Sequence, residues 1–81
     1  MKLTVKLFAA ARELAGCGEL QVELPADASV AALRLALCET KPALAELARR
    51  SLIAVNEEYA VDATPLSDGD TAALIPPVSG G

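Results

Sequence analysis

Two segments of this chain alternate apolar and polar residues without a break, and their polar positions carry opposite charge. Leu3, Val5 and Leu7 alternate with Lys2, Thr4 and Lys6, and Leu20, Val22 and Leu24 alternate with Glu19, Gln21 and Glu23. A period of two is the signature of a strand with one buried face. If the two strands pair antiparallel, their solvent faces set lysines against glutamates, and opposite charges across a strand pair favour that pairing. Between them, Ala9 to Ala15 reads as one or two helical turns ending at Gly16, with Gly18 leading into the second strand. Pro25 stops that strand.

The next segment changes period. Ser29 is a suitable N-cap for a helix over Val30 to about Thr40, with Val30, Leu33, Leu37 and Cys38 on one stripe. This helix is expected to cover the sheet. Pro42 can open a second short helix from Ala43 to Arg50, with Leu44, Leu47 and Ala48 facing inward and Arg49 and Arg50 suited to its C-terminal end. Leu52 to Asn56 is apolar and partly β-branched, and Asn56-Glu57-Glu58 turns it into a short stretch around Tyr59 to Val61, a small hairpin. Thr64-Pro65-Leu66 leads to the tight turn Ser67-Asp68-Gly69-Asp70. Thr71 to Ile75 forms the last strand, ended by Pro76-Pro77. The order predicts an α+β fold, a mixed sheet of about five strands with one main helix and short helices, which is the ubiquitin-like β-grasp arrangement. Residues 1–75 form that domain and residues 76–81 an extended tail.

Size and composition narrow the function. Eighty-one residues make one domain with one modest core. The chain is 53% hydrophobic but only 2% aromatic, so Leu, Val, Ile and Ala fill that core and little aromatic surface is left to stack bases or sugars. Net charge is −4, and residues 51–81 carry five acids and no base. An acidic surface opposes phosphate binding, argues against nucleic acid and favours a protein partner with a basic face. No apolar run approaches the roughly 18 to 20 residues that span a bilayer, and Lys6 interrupts the only stretch resembling a leader, so a cytoplasmic protein without membrane contact is expected. Cys17, in an exposed Gly-Cys-Gly turn, and Cys38 lack CxxC or metal-ligand spacing and are expected to be reduced thiols.

The chain offers almost no chemistry of its own. It contains no histidine, which excludes Ser-His-Asp and Cys-His arrangements. No glycine-rich phosphate loop follows a strand. Asp68 and Asp70 flank Gly69 as in a calcium loop, but the later ligands are missing and the segment reads as an ordinary turn. Adjacent Glu57 and Glu58 read as a solvated hairpin tip. What remains is the ending, Pro76-Pro77-Val78-Ser79-Gly80-Gly81.

An extended Gly80-Gly81 end, lacking Cβ atoms, can enter a channel too narrow for other residues. The prolines, with fixed φ and no N–H, stop strand pairing and aim the tail outward. Six residues at ~3.3 to 3.6 Å each reach ~20 Å, enough to enter a pocket on another protein. A carboxylate at Gly81 is ionised and a poor electrophile, so it must be activated. Adenylation by a partner holding ATP makes the Gly81 carbonyl attackable by sulfur, and the product is a thiocarboxylate.

On these residues the chain resembles the small, sulfur-carrying subunit family of molybdopterin synthase. The match runs through Leu7-Phe8-Ala9, Arg12-Glu13-Leu14, Ser29-Val30, Ala54-Val55-Asn56 and Pro65-Leu66-Ser67-Asp68-Gly69-Asp70 to the final six residues, and the last two blocks are the most specific. The resemblance implies that an activating enzyme using ATP and magnesium adenylates Gly81 and that a sulfur donor protein converts it to a 1-glycyl thiocarboxylate. It further implies insertion of the tail into a large subunit, as a 2+2 heterotetramer. There sulfur passes to a cyclic pyranopterin precursor to build the dithiolene of molybdopterin. The chain is then a non-catalytic subunit that binds no cofactor or metal itself, because the pterin-binding and acid/base residues belong to the large subunit.

The resemblance also implies a docking surface. Phe8 falls on the opposite parity from Leu3, Val5 and Leu7, and Ile75 lies opposite Ala72 and Leu74. With Tyr59, just after a hairpin turn, and with Pro76, Pro77, Val78 and Ser79, they form the expected partner-binding residues. Gly80 provides steric access and Gly81 the reacting carbon. Other readings are a carrier of the same fold for thiamine or tRNA thiolation, a ubiquitin-like protein modifier joined to lysines through Gly81, and an interaction domain with an incidental tail.

Overall fold

A computed structural model of the protein describes residues 1–77. The alternating segments form β1 (Lys2–Leu7) and β2 (Glu19–Glu23), joined by α1 (Ala9–Ala15). After α2 (Val30–Thr40), a 3-10 turn (Pro42–Leu44) leads into α3 (Ala45–Arg50), and β3 (Leu52–Val55), β4 (Glu58–Ala60) and β5 (Thr71–Ile75) complete the fold. The five strands form one sheet in the order β2-β1-β5-β3-β4. Among the described residues the β1–β5 pair is parallel and the other three pairs are antiparallel.

The charge-matched hairpin forms in the expected register. Lys2 stands opposite Glu23, Thr4 opposite Gln21, and Lys6 opposite Glu19. Lys2 Nζ lies 4.0 Å from Glu23 Oε1, and Gln21 Nε2 donates to Thr4 Oγ1 at 3.0 Å. These exposed pairs contribute at most about 1 kcal/mol each and act mainly to set register. The inner face carries the folding energy. Leu3, Val5, Leu7, Ile53, Ala72 and Leu74 bury against Val30, Leu33 and Leu37 of α2, with Leu44 and Ala48 closing one end. Each such Leu, Ile or Val contributes roughly 1.5 to 3 kcal/mol on leaving water.

Three local details refine the sequence reading. Ser29 occupies the N-cap position of α2 with extended backbone, but its side chain makes no capping bond. The free N–H groups of Val30 and Ala31 instead donate to the carbonyls of Thr64 and Asp62, both at 3.0 Å, so a distant loop caps this helix. Cys17 is half-buried and packs against the core rather than standing exposed, because the Leu7 N–H donates to the Gly18 carbonyl at 2.9 Å and draws the turn onto β1. Cys38 is also half-buried, its thiol directed to the Ala45 carbonyl.

Arg34 is a structural residue that periodicity did not reveal. Its Nη1 donates to the carbonyls of Ala48 and Ser51 at 2.5 and 2.7 Å, satisfying acceptors at the end of α3. Its Nε and Nη2 reach Asp62 Oδ1 at 3.3 and 3.1 Å. One guanidinium thus ties α2, α3 and the loop after β4 together.

Candidate functional site

The outward face of the sheet is built by the residues of opposite parity. Across the strands, Lys6 registers with Ala73, Ala73 with Ala54, and Ala54 with Tyr59. In the neighbouring row Ile75 registers with Leu52. Phe8 follows β1 at the same end as Ile75, because the parallel register sets Leu7 against Leu74. No helix among the described residues covers this side. Phe8, Leu52 and Tyr59 are 50%, 57% and 73% exposed, and Val61, the residue after β4, is 69% exposed. Ala54 is buried yet lies apart from the main core cluster, as its outward register requires.

Phe8 owes its position to the chain's turn out of β1. It is the N-cap residue of α1 with extended backbone, and the next residue, Ala9, has φ +50. That left-handed step bends the chain into the helix while leaving the Phe8 ring exposed. Leu7, one residue earlier, is buried. Ile75 is half-buried and, like Phe8, does not belong to the buried core cluster.

The structure thus gathers Phe8 and Ile75 near one end of the outer face, with Tyr59 on the β4 edge of the same side. It adds Leu52 and Val61, which the sequence reading did not single out. Parity held the signal for Leu52, since it lies two residues before Ala54 and pairs with Ile75. β5 ends at Ile75; Pro76 follows half-buried and Pro77 exposed. Proline offers no N–H to either neighbouring strand, so the ladder ends there. Val78, Ser79, Gly80 and Gly81 lie outside the described residues.

Asp68 and Asp70 serve the fold. Lys2 N–H donates to Asp68 Oδ1 at 2.6 Å, and the two oxygens of Asp70 accept from Asn56 Nδ2 and the Ser67 N–H at 2.9 and 2.8 Å. Gly69, with φ +85, completes a tight turn closed by Asp70 N–H to the Ser67 carbonyl. This is the ordinary turn expected from the sequence. Among the described residues no group of three or more His, Cys, Asp or Glu side chains could hold a metal ion. No described helix is long and apolar enough to cross a membrane.

Comparisons with known proteins agree with this geometry. The ThiS family model matches residues 5–81. A molybdopterin synthase sulfur carrier subunit from Chlamydomonas reinhardtii is 39% identical over 83 residues, covering 100% of both chains. Among solved structures, small archaeal modifier protein 1 from Haloferax volcanii superposes with TM-score 0.88 at 33% identity over the full length of both chains. In a complex of subunits 1 and 2 of the molybdopterin-converting factor from Helicobacter pylori, one chain matches with TM-score 0.71 and 28% identity, covering 100% of each. A ubiquitin from Caldiarchaeum subterraneum, 23% identical, shares the fold with TM-score 0.69. The chain belongs to the ThiS family and has the ubiquitin-like β-grasp fold.

Proposed function

We propose that this protein is the sulfur-carrying small subunit of a cytoplasmic molybdopterin synthase. The observation that carries the reading is its end-to-end similarity to sulfur carrier subunits of that enzyme, which includes the Gly80-Gly81 end. In this reading the carboxylate of Gly81 attacks the α-phosphate of ATP on an activating enzyme, releasing pyrophosphate and forming an acyl-adenylate. A persulfide on a donor protein attacks the Gly81 carbonyl and displaces AMP, and a thiol then cleaves the resulting acyl disulfide, leaving the thiocarboxylate and a disulfide. The loaded tail then enters the large subunit and donates its sulfur to the pyranopterin precursor.

The fold suits a carrier because its parts are separable. Among the described residues the buried cluster lies between Leu3 and Leu74, which suits a domain whose C-terminal group is handled by partners. The uncovered sheet face lies on the strand that leads into the tail, and apolar surface of this kind is what a partner buries. Phe8, Tyr59 and Ile75, with the added Leu52, form its apolar part. The domain spans residues 1–75, and residues 76–81 act as the reaching arm.

The deciding measurement is the intact mass of the protein after incubation with an activating enzyme, ATP and a sulfur donor. Replacement of one carboxylate oxygen by sulfur is expected. No mass gain under conditions that thiolate an established carrier would overturn the reading.

The likeness to small archaeal modifier protein 1 favours a second use of the same end, as a protein modifier. There the activated Gly81 carbonyl is attacked by a lysine amine with loss of AMP. Tryptic peptides bearing a C-terminal remnant of this chain on lysine would support that use, and their absence from cells expressing the tagged protein would remove it.

A further inference from the structure

The outer sheet face holds an open groove of about 510 Å³, lined by Lys6, Phe8, Asn56, Glu57, Thr71 and Ala73 among others. Its apolar parts lie between a cation and an anion, and the anion is the unexpected one. Asn56 and Glu57 have φ +50 and +70 and form the two-residue turn between β3 and β4. Such turns favour Asn followed by Gly, because the second position is left-handed and a side chain there is strained.

Asn56 justifies its place in the fold. Its Nδ2 donates to Asp70 Oδ1 at 2.9 Å, and its Oδ1 accepts from the Thr71 N–H at 3.0 Å. Glu57 does not. Among the described residues its carboxylate takes part in no hydrogen bond or ion pair, and it is exposed. A residue held in a costly conformation, with no internal partner and at the rim of a groove, points to use outside the chain. Lys6, the cation of the same groove, stands opposite Glu19 in the β1–β2 register and has an ordinary strand backbone, so of the two only Glu57 combines an unpartnered charge with a left-handed conformation.

We infer that Glu57 is a specificity-determining contact for the large subunit, which fills this groove with an apolar side chain against Phe8 and Ala73 and presents an arginine or lysine to Glu57. Charge complementarity selects the partner chemistry: an unpaired carboxylate on a surface of net charge −4 is matched by a cation, whereas a second copy of this acidic chain would be repelled. The inference rests on the docking reading proposed above and deepens it.

The test measures affinity of the full chain for its purified large subunit at low and physiological salt, with thermal midpoints alongside. Glu57→Gly is expected to melt ~4 °C higher, because the turn relaxes. The same variant is expected to bind about fivefold more weakly. Glu57→Gln should lose about the same affinity with its midpoint unchanged, and should reduce the salt dependence of binding. Glu57→Lys should bind at least roughly tenfold more weakly through like-charge repulsion.

If the Gln and Gly variants bind as tightly as the natural chain, the inference is overturned while the docking reading stands. Weakened binding only to the activating enzyme overturns it equally. A natural chain that fails to bind the large subunit at either salt overturns the docking reading, and the Glu57 contact with it.

Discussion

Leu52 and Ile75 are register partners across the antiparallel β3–β5 pair, both on the sheet face that no helix covers. Leu52 is a large apolar side chain left mostly in water at the end of the strand pair from which the C-terminal segment departs. Two β-strand neighbours of this kind normally face a core. Here the core lies on the other side of the same strands, through Ile53 and Leu74. Neither residue belongs to the buried core cluster, and under the proposed function this pair is part of the docking surface.

Substituting that face should separate binding from stability. Leu52→Asp and Phe8→Asp are expected to weaken large-subunit binding by at least roughly tenfold, since truncating or charging an interface anchor typically costs more than 1 kcal/mol. Their thermal midpoints should fall by only a few degrees, because neither residue contributes to the buried cluster. Titration calorimetry beside a thermal melt reads both quantities, and unchanged binding would show the patch to be misplaced.

The terminal glycines should be dispensable for folding and essential for loading. Deletion of Gly81, or Gly80→Trp, is expected to abolish thiocarboxylate formation. The thermal midpoint should stay within about 2 °C of the natural chain, the scale of a surface substitution. Mass spectrometry after the loading reaction, paired with a melt, checks this; a large loss of stability would mean that the end belongs to the core.

Arg34 makes a prediction about the scaffold. Replacing it with Met keeps much of the aliphatic stem but leaves the Ala48 and Ser51 carbonyls without their donor. The expected cost is about 2 to 3 kcal/mol, a drop of ~10 to 20 °C in an 81-residue domain. Asp62→Asn should cost less than ~1 kcal/mol, because the Asp62 side chain is mostly exposed. Denaturant unfolding of the two variants distinguishes carbonyl capping from ion pairing; equal losses would contradict the assignment.

The bend after Phe8 can be tested with two neighbouring alanines. Ala9 has φ +50, where glycine is free of Cβ strain, so Ala9→Gly should be neutral or stabilising by up to ~1 kcal/mol. Ala10 lies inside α1 and is exposed, so Ala10→Gly should destabilise by ~0.5 to 1 kcal/mol. A loss of stability in Ala9→Gly matching that of Ala10→Gly would show that the left-handed step is absent in solution.

Much of this architecture was legible in the pattern of residues. The alternation at Leu3, Val5 and Leu7 gave strand, face and partner together, because a period of two allows one buried side and the lysines find glutamates opposite. The helices over Ala9–Ala15 and Val30–Thr40 were bounded by Gly16 and by the change of period after Ser29. The reading went wrong where a residue's environment is supplied from elsewhere in the chain. Ser29 looked like a side-chain cap, but Thr64 and Asp62 carbonyls do that work. Cys17 looked exposed, but the Gly18 carbonyl is held by β1.

The pattern of residues was enough for the strands and helices, the inward parity of the core, and the proline pair that ends β5. These follow from local chemistry: side-chain period and the backbone limits of glycine and proline. Tertiary structure alone decided that β5 lies between β1 and β3, that Leu52 stands beside Ile75, and that Arg34 reaches Ala48, Ser51 and Asp62. Strand order is a choice among pairings that local pattern leaves open, and it is made by non-local packing, which here gathers the inward rows of the sheet into one cluster with α2, α3 and Leu44. That choice sets Leu52 against Ile75 on the outward face and leaves both on the side no helix covers.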